Sequence, residues 1–211
     1  MIERSFFWKN CQIIARVGTT LLFDLKVYGK ENIPKTGGAL LVANHQSYLD
    51  PIAIAVQLKR PVSYLAKSEL FENRFLDWLI RKLHALPVRQ GQGDVGAVKE
   101  VIRRLGEGAM LNIYPEGSRT EDGEIAKLEK GVALIIRKVN VPVIPVAIDG
   151  SFDAWRKDWM IFRPHPIRVK FGKPIVFKNK KGDEIVRELE ASMRSLLTEL
   201  REQESRQERR C

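Results

Sequence analysis

A histidine and an aspartate lie five positions apart in the run 44–51, which reads NHQSYLDP. A neutral His45 imidazole can accept a proton near neutral pH, and the carboxylate of Asp50 can hold that ring in one tautomer. The run needs no serine or cysteine nucleophile if the base acts on a hydroxyl group of the substrate. Asp50 also precedes Pro51, which is typical of a capping aspartate at a helix start, and His45 could be a hydrogen-bonded loop histidine. The capping and orienting roles of Asp50 are compatible.

A second cluster of polar residues occupies the run 114–120, which reads YPEGSRT. Arg119 offers a fork of donors that suits phosphate oxygens, and Gly117 permits close approach of the backbone. Glu116 can accept a hydrogen bond from a substrate hydroxyl or hold Arg119. The alternative is a surface turn with a local ion pair.

The elements that must position both clusters alternate between strands and helices. Apolar runs bounded by turn residues predict strands over 39–43, 62–66, 109–114, 143–148 and 167–171. Helical patterns cover 51–58, 69–83, 94–106 and 128–139. This alternation predicts an α/β fold with a largely parallel central sheet flanked by helices. Because ligands bind beyond the carboxyl ends of such strands, we expect His45 and Arg119 to meet at one sheet edge.

The N-terminal segment 2–25 is strongly apolar but is interrupted by Lys9, Arg16 and Asp24, so it is too polar for a full membrane span. Its apolar residues fall on one helical face and predict an amphipathic helix in a membrane interface, although packing on the protein's own core is the alternative. We therefore divide the chain into an N-terminal membrane-interface helix region (1–26), a catalytic domain (27–182) and a charged C-terminal helix (183–211).

The net charge of +10 suits an anionic membrane, a phosphorylated substrate or a nucleic acid. The basic residues are scattered, without a helix-turn-helix, RNP or zinc-finger pattern, so we expect no nucleic-acid partner. The two cysteines, Cys11 and Cys211, do not form a disulfide framework or a zinc-type spacing.

Three motifs resemble those of the glycerolipid acyltransferase family. The run 44–50 resembles its first motif, 114–120 its third and 141–146 its fourth, and the similarity extends over 27–176. The PEGSR form of the third motif looks more like enzymes that acylate 1-acyl-glycerol-3-phosphate than like those that acylate glycerol-3-phosphate. The second motif departs from the family pattern: its glycine and arginine positions are His84 and Gln90, with Arg89 one residue early. Adjacent side chains of an extended chain point to opposite faces, so Arg89 needs a local backbone change to reach a phosphate.

The resemblance implies transfer of a fatty acyl group from acyl-CoA or acyl-carrier protein to the sn-2 hydroxyl of 1-acyl-glycerol-3-phosphate, giving phosphatidic acid. It implies that His45 is the general base and Asp50 its orienter, and that no cofactor or metal is needed. Substrate contacts are expected from the following residues: Lys67, Arg89 and Arg119 at the phosphate, Glu116 and Gly117 at the glycerol, and Ser118 and Lys130 without a more specific role.

Other functions remain open at this point. The chain could be an acyltransferase or CoA-independent transacylase acting on another lysolipid, or a non-catalytic basic module that binds a membrane or nucleic acid. A hydrolase is disfavoured because the chain has no Gly-x-Ser-x-Gly nucleophile motif. We expect the partners to be lysophosphatidic acid, an acyl-CoA or acyl-carrier protein, and an anionic membrane surface. The expected location is peripheral or monotopic association with the cytoplasmic face of a membrane.

Overall fold

The computed structural model describes residues 6–88 and 94–209, which contain a seven-stranded sheet with the order β1-β7-β6-β2-β5-β3-β4. The strands are β1 (Lys26–Tyr28), β2 (Ala39–Ala43), β3 (Val62–Lys67), β4 (Ala85–Val88), β5 (Met110–Ile113), β6 (Val143–Asp149) and β7 (Arg168–Phe171). All neighbouring strands are parallel except β6 and β7, which are antiparallel. This architecture confirms the predicted α/β class with a largely parallel sheet.

The helices cover both faces of this sheet. They are α1 (Phe6–Phe23), α2 (Asp50–Ala55), α3 (Arg74–Lys82), α4 (Val95–Gly106), α5 (Gly131–Lys138), α6 (Ser151–Ala154) and α7 (Gly182–Glu208), with 3₁₀ turns at Lys30–Asn32 and Ser68–Phe71. Leu40 and Val42 of β2 belong to one apolar cluster, formed with α4, α5 and α7. Leu41 belongs to the other, formed with α2, α6 and the end of α1. Successive side chains of a strand point to opposite faces, so the core has one layer on each side of the sheet.

Several elements differ from the sequence prediction. The helix predicted over 69–83 is interrupted, because the Asn73 side chain accepts hydrogen bonds from the backbone of Phe75 and Leu76 and begins α3 there. Strand β4 was missed because it contains Pro87, which lacks a backbone donor. Proline is tolerated in β4 because this strand lies at the edge of the sheet. The short strand β1 and the short helix α6 were also missed.

Helix α1 is attached to the domain through one face only. Trp8 and Phe23 are buried, and Nε2 of Gln12 donates to the carbonyl oxygens of Ala55 and Leu58 at 2.9 and 2.7 Å. The opposite face exposes large apolar side chains, namely Phe6, Ile13, Ile14, Val17, Leu21 and Leu22. Within the described ranges no helix is long and apolar enough to cross a bilayer. The membrane-interface role of α1 stays a prediction.

Candidate active site

His45 lies just beyond the carboxyl end of β2, between the loops that follow β5 and β6. Asn44 closes the strand end by exchanging two side-chain hydrogen bonds with the backbone of Ile148, at 2.8 and 2.7 Å. The carbonyl oxygen of His45 accepts a hydrogen bond from the Thr120 amide at 2.8 Å. The two sequence clusters therefore meet at one sheet edge, as their placement after parallel strands predicted.

The imidazole of His45 is held by the carboxylate of Asp50. Nδ1 of His45 lies 2.8 Å from Oδ2 of Asp50, whose side chain is fully buried, whereas 21% of the His45 side chain is exposed. The same Oδ2 accepts hydrogen bonds from the backbone amides of Gln46 and Ser47, at 2.7 and 2.8 Å. Because Nδ1 faces Asp50, Nε2 is the ring nitrogen left for a substrate.

The capping role proposed for Asp50 is wrong. Helix α2 begins at Asp50 itself, and no side chain caps its N-terminus. The carboxylate points back into the preceding loop, where it accepts from the amides of Gln46 and Ser47 instead of from helix amides. Asp50 therefore acts on the loop that carries His45.

The ring of Tyr114 stacks on the imidazole of His45. Their centroids are 4.0 Å apart and their planes differ by 15°. Burial, with a smaller contribution from the negative charge of Asp50, raises the pKa of Tyr114 well above its usual range. The phenol therefore stays neutral at physiological pH and restricts the orientation of the imidazole through its aromatic face.

Glu116 supports the backbone of the site. Its Oε1 accepts from the His45 amide at 2.7 Å, and its Oε2 accepts from the Ala126 amide at 2.8 Å. In the part of the chain that the structure describes, the carboxylate of Glu116 binds these two amides and forms no ion pair with Arg119, so the alternative of a local ion pair in this turn does not hold. Burial raises the pKa of Glu116, and the two amide donors lower it in part.

Arg119 reaches the site across the ring of Tyr48. The centre of its guanidinium lies 3.5 Å from the ring centroid. Its Nη1 is buried and donates to no described residue, so this donor is unused. Gly117 has a φ of 73°, the left-handed conformation that glycine adopts without strain, and Ser118 beside it is exposed.

The remaining basic candidates have different surroundings. Lys67 ends β3 at the same sheet edge, is exposed, and forms no ion pair with a described residue. Lys130 lies just before α5, and its ammonium pairs with Asp183 of α7 at 3.3 Å. Val88, the last residue of β4, lies opposite Lys67, and Arg89 itself lies outside the described residues. Of the second motif, His84 is described and has a φ of 67°, the left-handed conformation that explains why a glycine is typical there.

A serine that the sequence analysis did not single out completes the Asp50 environment. The Ser151 hydroxyl, at the start of α6, donates to Oδ1 of Asp50 at 2.6 Å and is fully buried. Gly150 before it has a φ of 79°, and a Cβ there would lie 2.0 Å from the carbonyl oxygen of Pro166. The placement of Gly150 and Ser151 two and three residues after the end of a predicted strand was the available signal.

The arrangement combines a histidine held by a buried carboxylate with a guanidinium that has an unused donor. Proton abstraction beside a bound anion is the chemistry that these groups support. No three His, Cys, Asp or Glu side chains cluster as a metal site within residues 6–88 and 94–209.

Comparisons with known proteins agree with this chemistry. The family model "Acyltransferase" matches residues 24–149. A 1-acyl-sn-glycerol-3-phosphate acyltransferase of Bacillus subtilis is 30% identical over 169 residues, which are 80% of this chain and 82% of that protein. A chloroplastic enzyme of the same name from Arabidopsis thaliana is 26% identical over 71% of this chain, but over 42% of its own length. The crystal structure of the 1-acyl-sn-glycerophosphate acyltransferase of Thermotoga maritima matches 91% of this chain and 79% of that chain, with a TM-score of 0.78 and 29% identity.

Proposed function

The chain belongs to the acyltransferase family, and on this basis we propose that it transfers a fatty acyl group from a thioester to the sn-2 hydroxyl of 1-acyl-glycerol-3-phosphate, giving phosphatidic acid. The observation that carries the proposal is the 2.8 Å hydrogen bond between Nδ1 of His45 and the buried carboxylate of Asp50. The names of the relatives supply the substrate class.

In the proposed reaction His45 acts as the general base. Its Nε2 takes the proton of the sn-2 hydroxyl while that oxygen attacks the thioester carbonyl. The new C–O bond forms, the C–S bond breaks, and the imidazolium returns its proton to the leaving thiolate. Asp50 holds the imidazole in the required tautomer and stabilises the imidazolium. The substrate alcohol is the nucleophile, so no acyl-enzyme intermediate is required.

We assign the phosphate of the acceptor to Arg119, with Lys67 and Arg89 as further contacts. The unused Nη1 donor of Arg119 and the exposed ammonium of Lys67 support this assignment. Gly117 and Ser118 remain candidates for contact with the glycerol. Each oxygen of Glu116 accepts a hydrogen bond from a backbone amide, one of them from His45, and its contact with the glycerol stays a prediction. We also assign Glu116 the role of positioning His45.

The acyl donor and the membrane are the other proposed partners. Acyl-CoA and acyl-carrier protein are both acidic, so the net charge of +10 suits either donor. The exposed apolar face of α1 suits peripheral association with an anionic membrane on its cytoplasmic face.

The proposal is tested by assaying acyl transfer to lysophosphatidic acid with acyl-CoA and with acyl-carrier protein. We expect His45→Ala to fold normally and to lose roughly 10²-fold or more of the rate, as expected when a general base is removed. His165→Ala is the matched control, because among the described residues the ring of His165 hydrogen-bonds only to a backbone carbonyl oxygen, that of Pro166.

Near-normal turnover by a folded His45→Ala variant would overturn the base assignment. Faster transfer to another lysolipid would identify a different acceptor. Release of free fatty acid without an acceptor would identify a hydrolase.

A further inference from the structure

The loop 155–163, which follows α6, exposes two large apolar side chains at its tip. Met160 is 95% exposed and Ile161 is 76% exposed. The loop is closed at its base by a hydrogen bond from the Arg163 amide to the Ala154 carbonyl oxygen at 2.7 Å. A second hydrogen bond runs from Nε1 of Trp155 to the carbonyl oxygen of Trp159 at 3.0 Å. These bonds hold the apolar tip away from the core.

Cationic and aromatic groups surround the tip. The guanidinium groups of Arg156 and Arg163 lie 5.0 and 4.3 Å from the ring of Trp159. The segment 153–163 carries three basic residues and two acidic ones, and Asp153 already pairs with Arg156 at 3.3 Å. Tryptophan beside arginine, next to exposed aliphatic side chains, is the composition found at the boundary between lipid headgroups and acyl chains.

The loop 155–163 lies between the C-terminal end of α1 and the active site. On one side, the rings of Phe162 and Phe23 of α1 lie 5.6 Å apart. On the other, the ring of Trp155 lies 5.3 Å from Tyr48, the residue that supports Arg119. The carbonyl oxygen of Trp155 also accepts a hydrogen bond from the Ser47 hydroxyl at 2.8 Å. The loop is therefore directly connected to the run that carries His45.

We propose that the tip of loop 155–163 inserts into an anionic bilayer interface as a second anchor beside α1, with Arg156 and Arg163 at the phosphate headgroups. Insertion of the loop together with α1 holds His45 at the depth of the headgroups, where the hydroxyl of a lysolipid acceptor lies. The benefit of holding His45 at this depth rests on the proposed function. The attachment of the loop to a membrane does not depend on the proposed function.

A second copy of this chain fits the tip less well than a bilayer does. A stable protein interface buries about 800 Å² on each partner, and a tip of two apolar side chains offers far less. The arginines beside the tip would face like charges in a symmetric contact, whereas lipid phosphates complement them.

The test uses the full chain and the Met160→Asp/Ile161→Asp double variant. We expect its binding to vesicles of phosphatidylcholine with phosphatidylglycerol, measured by sedimentation, to fall about tenfold or more, because two charges would enter the apolar region. The control is Leu134→Asp on α5, because Leu134 is also a large exposed apolar side chain, 61% exposed, but lies on the other face of the sheet. Met160→Ser/Ile161→Ser removes the apolar tip without adding charge and is expected to weaken binding to a smaller extent.

Activity measurements separate anchoring from catalysis. We expect the double variant to lose acyl transfer to lysophosphatidic acid in vesicles in parallel with binding, but to keep wild-type transfer to a short-chain acceptor dissolved as monomers. Vesicle binding equal to that of Leu134→Asp would overturn the proposal. An equal loss of acyl transfer to the monomeric acceptor would show that the loop supports the active site and not membrane binding. A difference in molecular mass between the wild type and the double variant, measured by sedimentation velocity, would show that the loop tip contacts a second copy of this chain. Vesicle binding requires no turnover, so it tests the loop even if the proposed acyl transfer is wrong.

Discussion

Ser151 and His45 bind opposite oxygens of the same buried carboxylate. The Ser151 hydroxyl donates to Oδ1 of Asp50 at 2.6 Å, and Nδ1 of His45 lies 2.8 Å from Oδ2. A carboxylate held at both oxygens cannot rotate about its terminal bond, so the direction of its hydrogen bond to the imidazole is fixed. The position of Ser151 depends in turn on Gly150, where a Cβ would collide with the carbonyl oxygen of Pro166.

We predict that Ser151→Ala lowers kcat about tenfold or more and leaves KM for the acceptor unchanged. The variant removes one hydrogen bond to a charged group, which contributes about 1.5–3 kcal/mol, and frees the carboxylate to turn away from His45. Steady-state kinetics with lysophosphatidic acid measure the two constants separately.

The matched control for this prediction is Ser63→Ala, at an equally buried serine whose hydroxyl has no hydrogen-bond partner in the described residues. We expect Ser63→Ala to keep kcat. An equal loss of kcat in both variants would show that Ser151 has only a packing role.

We predict that Glu116→Gln lowers both the melting temperature and kcat. Both oxygens of Glu116 accept backbone amides, from His45 and from Ala126, and a glutamine must turn its NH₂ group toward one of them. An unpaired buried donor costs about 1–3 kcal/mol, and each kcal/mol lowers the melting temperature of a domain of this size by about 2–4 °C. Thermal unfolding and the acyl-transfer assay measure the two effects.

Glu31→Gln is the control for this variant, because Glu31 is an exposed glutamate with no ion pair to a described residue. A Glu116→Gln variant with unchanged stability but a raised KM for the acceptor would instead restore the contact with the glycerol that the sequence suggested.

The placement of the site was predictable from the sequence because it depends on local patterns. Apolar runs indicated the strands, and the rule for parallel sheets placed the loops after β2 and β5 at one edge. The hydrogen bond from Thr120 to His45 shows that these loops do meet. The His45–Asp50 pair was also recognisable, because both residues lie in one short run.

The contacts that hold the pair were not predictable, because they join distant parts of the chain. Ser151 lies 101 positions from Asp50, and the direction of the Asp50 carboxylate depends on the backbone of the loop before it. The sequence indicated that Asp50 caps a helix, but its carboxylate accepts hydrogen bonds from the amides of Gln46 and Ser47. The two amide partners of Glu116 were likewise not predictable, because only the folded loop brings them to its carboxylate.

We predict that Arg119→Ala raises KM for lysophosphatidic acid roughly 10- to 100-fold and changes kcat much less. The loss follows from removal of charge-assisted hydrogen bonds to the phosphate, each of about 1.5–3 kcal/mol. Arg119→Lys keeps the charge but loses the planar fork and the stacking on Tyr48, so we expect an intermediate KM. Initial rates against acceptor concentration give both constants.

Arg137→Ala is the control for Arg119, because Arg137 is exposed on α5, on the other face of the sheet. An unchanged KM in Arg119→Ala would remove this residue from phosphate binding and leave Lys67 as the described candidate at the sheet edge.

The last prediction concerns His84 and the dependence of stability on pH. Burial, and to a lesser extent the positive charge of Arg104, lowers the pKa of His84 below its ordinary value of 6.5. The unfolded chain therefore binds more protons at this position than the folded chain does. The stability contributed by neutral His84 is present above pH 6.5 and is lost as the pH falls from 6.5 toward the lower pKa of the folded state.

We predict that His84→Asn, which does not titrate and tolerates the φ of 67°, reduces the fall in melting temperature between about pH 7.5 and pH 5.5. His165→Asn serves as the control and should keep the wild-type dependence. If His84→Asn loses as much stability on acidification as the wild type does, groups other than His84 cause the loss.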